Sequence, residues 1–256
     1  ERTPFAQIQR IVGIQFGQTT SSNINQGSEA RCRNVQVYAN NLAGGSTYLG
    51  AGIKIEDTDA VVLESCGFVA YGHDLHVIAN TAGHSPSNHF INNCIFDATD
   101  TGHCVYLSGG GNVLSFKMSA TWLASAGRVS NTSNGNGMRV EVPTLITAEI
   151  TGCNFSNSRG TGFYSDASTV TLGLTMTGCS FNANGGGAGA GNNDGIYLST
   201  GFNALGPVIC GCQEVGSNGV GIRTSSTANR LVITGNRWVS GTAYGTPPLV
   251  DANNGS

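Results

Sequence analysis

A six-residue phrase that occurs five times in full and once without its final aromatic limits this chain to a stack of similar units. It reads Leu63-Glu-Ser-Cys66-Gly-Phe68, Ile91-Asn-Asn-Cys94-Ile-Phe96, Ile150-Thr-Gly-Cys153-Asn-Phe155, Met176-Thr-Gly-Cys179-Ser-Phe181, Ile209-Cys-Gly-Cys212 and Ile233-Thr-Gly-Asn236-Arg-Trp238. A second, glycine-led phrase follows most copies: Gly52-Ile-Lys-Ile55, Gly72-His-Asp-Leu75, Gly102-His-Cys-Val105, Gly137-Met-Arg-Val140, Gly162-Phe-Tyr-Ser165, Gly195-Ile-Tyr-Leu198 and Gly221-Ile-Arg-Thr224. Successive anchors of the first phrase lie 28, 59, 26, 33 and 24 residues apart, and the 59 divides in two if Phe116-Lys-Met-Ser119 is a copy without its cysteine. Short strands at such a period, with Gly and Asn at the corners, are the signature of a solenoid. One coil cannot bury its inward residues alone. Coils stacked about 4.8 Å apart satisfy one another's backbone and pile like side chains on like. The expectation is an all-β chain: a parallel β-helix of about eight coils over residues 35–250, an N-terminal entry or capping segment over 1–34 and a tail over 251–256.

Composition narrows the partners. The chain has 38 glycines but only 12 basic and 15 acidic residues, and Lys54 and Lys117 are its only lysines. That excludes a helical bundle, a coiled coil and a basic nucleic-acid module. With 39% apolar residues and a net charge of −3 the chain is not held open as a disordered segment. No apolar run reaches the roughly 18 residues of a membrane span. No nucleic acid and no membrane insertion are therefore expected.

Eight cysteines in 256 residues are too sparse for a disulfide-stapled scaffold. Their recurrence at one template position reads as a column of thiols between coils, where a free cysteine behaves as a small hydrophobe. Cys66, Cys94, Cys153, Cys179 and Cys212 are expected to be reduced and buried. No phosphate loop, triad motif or metal helix is present. No metal and no cofactor are expected.

Strand alternation puts the apolar members of the glycine-led phrases inside and their neighbours outside. Coil by coil, the outward residues should form two columns. The first holds Lys54, Asp74, Cys104, Arg139, Tyr164, Tyr197 and Arg223; the second holds Glu56, His76, Tyr106, Glu141, Asp166, Ser199 and Ser225. This face collects acids, arginines, tyrosines and a histidine where a merely solvated face would carry Thr, Ser, Asn and Lys. Such side chains read sugars: aromatic rings stack on pyranose faces, and charged groups bind hydroxyls and acidic substituents. Glu141 and Asp166 should lie on adjacent coils, and two carboxylates flanking a glycosidic bond are the working pair of most glycoside hydrolases. They are the expected catalytic pair, with Asp74, His76, Tyr106, Arg139, Tyr164, Tyr197 and Arg223 as substrate contacts. The same acids beside Arg139 also make a surface salt-bridge ladder, and that alternative stays open.

The phrases resemble the right-handed parallel β-helix proteins of the pectate-lyase-like superfamily. Ile233-Thr-Gly-Asn236-Arg-Trp238 looks like that family's turn with its inward asparagine ladder, and Asn193-Asp194-Gly195-Ile196 looks like its corner into the long strand. Where its members carry asparagine, this chain mostly carries cysteine. The paired aspartates and Gly-His-Gly of polygalacturonases are missing, with only Gly102-His103 kept. The superfamily includes polysaccharide lyases, glycoside hydrolases, uronate epimerases and phage tailspikes. The resemblance implies a tailspike-like or secreted hydrolase that depolymerises a bacterial surface polysaccharide, located in a virion tail or outside the cell, and a homotrimer in the tailspike case. The rival expectation is a non-catalytic glycan-binding or structural β-helix of a phage tail or cell-surface appendage. A calcium-assisted lyase with Lys54, Arg139 or Arg223 as base is a third.

Overall fold

The computed structural model describes residues 13–17, 19–20, 23–24, 30–39, 50–80, 85–100, 102–128, 135–166, 169–186, 193–198, 206–224 and 231–238. Within them the chain is a parallel β-solenoid with three sheets of eight strands each and one small antiparallel pair, Thr19–Thr20 with Asn23–Ile24. The first sheet stacks Ile14–Phe16, Ala51–Glu56, His73–Ile78, Val105–Ser108, Met138–Val140, Phe163–Ser165, Ile196–Leu198 and Ile222–Thr224. The second runs from Ala30–Arg33 to Val232–Thr234, and the third from Gln36–Tyr38 to Arg237–Trp238. Six turns have a neighbour on both sides and a rung closes each end, against the expected eight coils. Ile14–Phe16 and Ala30–Arg33 already pair in register with Ile53–Ile55 and Val61–Glu64. The solenoid's first rung thus begins before residue 35, within the expected entry or capping segment. Residues 239–256 lie outside the described residues.

Each sheet contributes at least one inward column, and the first sheet two, one of them being Ile55, Val77, Leu107, Val140 and Leu198. The first sheet sends in Ile53, Leu75, Val105, Met138, Phe163, Ile196 and Ile222, and the second sends in Leu63, Ile91, Met118, Ile150, Met176, Ile209 and Ile233, all essentially inaccessible to solvent. The third sheet's column carries the rings: Phe68 and Phe96 are 6.2 Å apart and Phe155 and Phe181 are 4.8 Å apart, nearly parallel. The glycine at the head of the first-sheet strand faces this column closely. A Cβ on Gly162 would stand 2.6 Å from the Phe181 ring, so glycine is needed there for space.

The corner between the second and third sheets explains the cysteine phrase. The chain turns through a left-handed residue at Asn34, Ser65, Asn93, Ala120, Gly152, Gly178, Gly211 and Gly235, with φ between 46° and 64°. The next residue points inward, giving the column Val35, Cys66, Cys94, Thr121, Cys153, Cys179, Cys212 and Asn236. Asn236 accepts from the Cys212 N–H at 2.7 Å and donates to the Ile209 carbonyl at 3.0 Å. The thiols make only the second of these contacts, weakly: Cys179 toward Ile150 O at 3.5 Å and Cys66 toward Cys32 O at 3.3 Å. All eight cysteines are free and all but Cys210 are buried, among them Cys66, Cys94, Cys153, Cys179 and Cys212, the five that the repeat implies. Burial pushes the Cys94 thiol up to about 12.

Candidate functional site

Register corrects the composition of the outward columns. The first runs Gln15, Lys54, His76, Tyr106, Arg139, Tyr164, Tyr197 and Arg223. His76 and Tyr106 therefore stand in line with Lys54 and Arg139. Asp74 and Cys104, expected there, are two residues out of frame. The chain carries two glycine columns: Gly72 and Gly102 align with Gly50 and Gly135, whereas Gly52 aligns with Asp74 and Gly137 with Cys104. Reading Gly72 as the equivalent of Gly52 slips the frame by two and preserves the strand's alternation, so the error is silent in sequence. At this position the chain is still leaving the corner, and Asp74 and Cys104 are fully buried. Asp74 is thus not an exposed ligand contact. Among the described residues neither of its side-chain oxygens has a hydrogen-bond partner, and burial, with Asp97 and Asp100 nearby, holds its carboxyl well above the usual range.

The column is stacked ring on ring. His76 lies on Tyr106 at 4.8 Å with 19° between planes, the Arg139 guanidinium lies 5.0 Å from the centre of the Tyr164 ring, and Tyr164 lies on Tyr197 at 5.0 Å and 12°. In-register neighbours on a parallel sheet can hardly do otherwise, because the rung spacing is close to the contact distance of two rings. Ring faces here are therefore turned toward one another along the solenoid axis. The faces of these stacked rings are thus covered by their neighbours in the column.

Glu141 and Asp166 lie on successive rungs, and Arg139 holds both. Its Nη2 contacts Glu141 Oε1 and lies 2.8 Å from Asp166 Oδ2. The Tyr106 hydroxyl donates to the other Glu141 oxygen, Oε2. Both Glu141 oxygens are thereby engaged. All three charged side chains are about a quarter exposed. Burial first, and Glu141 second, raises the Tyr106 hydroxyl; burial and Asp166 raise that of Tyr164. Further along, Arg223 pairs with Asp194 at 2.7 and 3.2 Å, and Lys54 with Glu56 at 2.5 Å. Ser199 and Ser225 lie outside the described residues.

Beside the upper part of the column, the corner entering the first sheet carries a second ladder that the sequence reading missed. His73 Nδ1 accepts the His103 N–H at 3.0 Å, His103 Nδ1 accepts the Asn136 N–H at 3.0 Å, and Asn136 Oδ1 accepts the Thr161 N–H at 2.8 Å. Asp194 continues the pattern by accepting the Val220 N–H at 2.8 Å. The Gly102-His103 and Asn193-Asp194-Gly195 phrases are therefore rungs of this ladder. A recurring Gly-His at 72–73 and 102–103 was the available signal. His73 also packs against His76, His103 and Tyr106, with ring centres 4.8–5.4 Å apart. Burial pushes His73 down to about 4 and His76 to about 3, and holds His103 well below the ordinary imidazole range. Among the described residues, no group of three or more His, Cys, Asp or Glu side chains is arranged to hold a metal ion, and no helix is long and apolar enough to cross a membrane.

No protein-family model matches the chain, and no curated protein or solved structure matches it. What defines the class is the architecture: a three-sheet parallel β-solenoid with a polar, ring-stacked column along one sheet.

Proposed function

We propose that the protein is a non-catalytic, carbohydrate-directed β-solenoid that binds a polysaccharide along the outward column of its first sheet. The observation that carries this reading is Arg139's simultaneous hold on Glu141 and Asp166, with Tyr106 on the remaining Glu141 oxygen. A hydrolase needs one carboxyl to deliver a proton and the other to attack the sugar or activate water. Here both Glu141 oxygens and Asp166 Oδ2 are held by the protein's own groups, which favours binding over cleavage. The column nevertheless suits a linear glycan. The Tyr164 and Tyr197 rings are stacked 5.0 Å apart on successive rungs, and both side chains are partly exposed. Sugar hydroxyls on one strand of a glycan can meet such a row without rearranging it.

Binding on an array of bacterial surface polysaccharides tests this directly. The Tyr164→Phe, Tyr197→Phe double variant removes two hydroxyls and keeps both rings. At about 1 kcal/mol per hydrogen bond it is expected to weaken binding by tenfold or more. Unchanged affinity would move the binding face elsewhere. The setting, a virion tail or extracellular appendage carrying three chains, rests on the resemblance. Light scattering of the purified protein addresses its trimer, for which a clean monomer counts against a tailspike-like assembly.

A further inference from the structure

We infer that the first-sheet face selects neutral glycans and excludes polyanionic ones. This rests on the glycan-binding reading and adds the chemical class of the ligand. Among the described residues the face carries three cations, and each is already matched. Lys54 is 2.5 Å from Glu56, Arg139 is held by Glu141 and Asp166, and Arg223 is held by Asp194. Four carboxylates stand against three cations. Glu56 is additionally held by the Asn80 side-chain amide at 2.9 Å, so it is not a loose counter-ion that a ligand can easily displace. A uronate or sulfate reaching for one of these cations must first separate an existing ion pair. It must then sit beside the carboxylate it displaced, and like charges at contact distance cost more than the new pair returns. A neutral glycan meets no such opposition, since its hydroxyls carry no charge to be repelled and can exchange hydrogen bonds with Tyr164 and Tyr197. The clamp on Glu141 and Asp166 thus works as a selectivity device, acting by repulsion as much as by attraction.

The test releases the cations one clamp at a time. Polygalacturonate is the polyanion probe and a neutral galactomannan the uncharged control, with binding measured at 20 mM and 300 mM NaCl. Wild type is expected to bind polygalacturonate no better than galactomannan at either salt. Glu141→Gln, Asp166→Asn leaves Arg139 without its counter-ions and is expected to gain at least tenfold in polygalacturonate affinity at 20 mM, with most of the gain lost at 300 mM. Glu56→Gln, which unpairs Lys54 on another rung, is expected to show the same salt-sensitive gain on a smaller scale, and serves if the double variant does not fold. Tight, salt-sensitive polygalacturonate binding by wild type, or no gain in either folded variant, would overturn the selectivity. The array experiment fails separately: signal confined to acidic glycans retains a glycan-binding face and discards this inference, while signal for no glycan discards both.

Discussion

The two ladders that run up the corners on either side of the third sheet do the same geometric task with different chemistry. At the corner entering the first sheet, imidazole, amide and carboxylate acceptors receive the backbone N–H of the next rung at 2.8–3.0 Å. At the corner between the second and third sheets, thiols fill the same kind of inward position with weak contacts to carbonyls and, at Cys66, to the Cys32 thiol; Thr121 accepts the Cys94 N–H at 3.3 Å, and Asn236 makes a full pair of bonds at the last rung. The difference teaches that rung stacking tolerates weak side-chain contacts where a small, apolar thiol fills the inward position. Where polar side chains line the corner, each must be used. It also makes one corner sensitive to protons and leaves the other indifferent to them.

Acid should therefore break the first corner before the second. Above the ordinary imidazole range both folded and unfolded chains hold His73 neutral. As pH falls from about 6.5 toward about 4 the unfolded chain takes up a proton that the folded chain refuses, so stability declines through that window. For His73 alone the full decline is of order 3 kcal/mol, and His76 and His103 act in the same direction. His89, buried in the core without a partner, adds to it and is pushed down to about 4. Denaturant unfolding across pH 4–8 measures the slope. His103→Asn, which keeps an acceptor for Asn136, should flatten part of it; an unchanged slope would mean that the ladder is not its source.

Asp74 gives a slope of opposite sign beside the same corner. Below the ordinary carboxyl range both states hold its proton and no penalty arises. As pH rises the unfolded chain ionises while the buried carboxyl keeps its proton, so stability is lost on the alkaline side. Asp74→Asn removes the ionisable group and is expected to gain about 1–3 kcal/mol near pH 8 with little effect near pH 4. Equal effects at both pH values would contradict a protonated Asp74.

A direct contrast of the ladders comes from deleting one rung in each. His103→Leu leaves the buried Asn136 N–H without its acceptor and should cost about 1–3 kcal/mol. Cys179→Ala removes a weak donor and a small volume and should cost about 1 kcal/mol or less, and Cys179→Asn should recover much of that by making the bonds Asn236 makes. Comparable losses for His103→Leu and Cys179→Ala would erase the distinction. The smallest effect is chemical: under native conditions a thiol reagent should label Cys210, the one cysteine that is not buried, and leave the other seven.

Much of this fold was legible because a solenoid repeats its local rules. The cysteine phrase encodes a second-sheet strand, a left-handed turn, an inward side chain and a ring, and each copy landed on a successive rung. The order of Glu141 and Asp166 on adjacent rungs followed from Gly137 and Gly162, which are true equivalents. Two rungs misled for a physical reason: Asp74 and Cys104 occupy the position that is glycine elsewhere, and the nearest glycine lies two residues upstream, where alternation cannot expose the slip. The ladder histidines were hidden because a histidine beside glycine looks alike whether it serves a neighbouring backbone or a substrate. Ring-on-ring stacking was implicit in the register and reverses the intuition that exposed tyrosines on a sheet offer their faces to a sugar.

Whether this face binds without cutting is decided most directly by the fate of a bound glycan. A polysaccharide selected on the array, incubated with wild-type protein for days and examined by mass spectrometry and reducing-end assay, is expected to be recovered intact, with Glu141→Gln, Asp166→Asn indistinguishable from wild type in this respect. Release of shorter oligosaccharides by wild type, abolished in the double variant while binding persists, would contradict the binding assignment and restore the two carboxylates to a hydrolytic role.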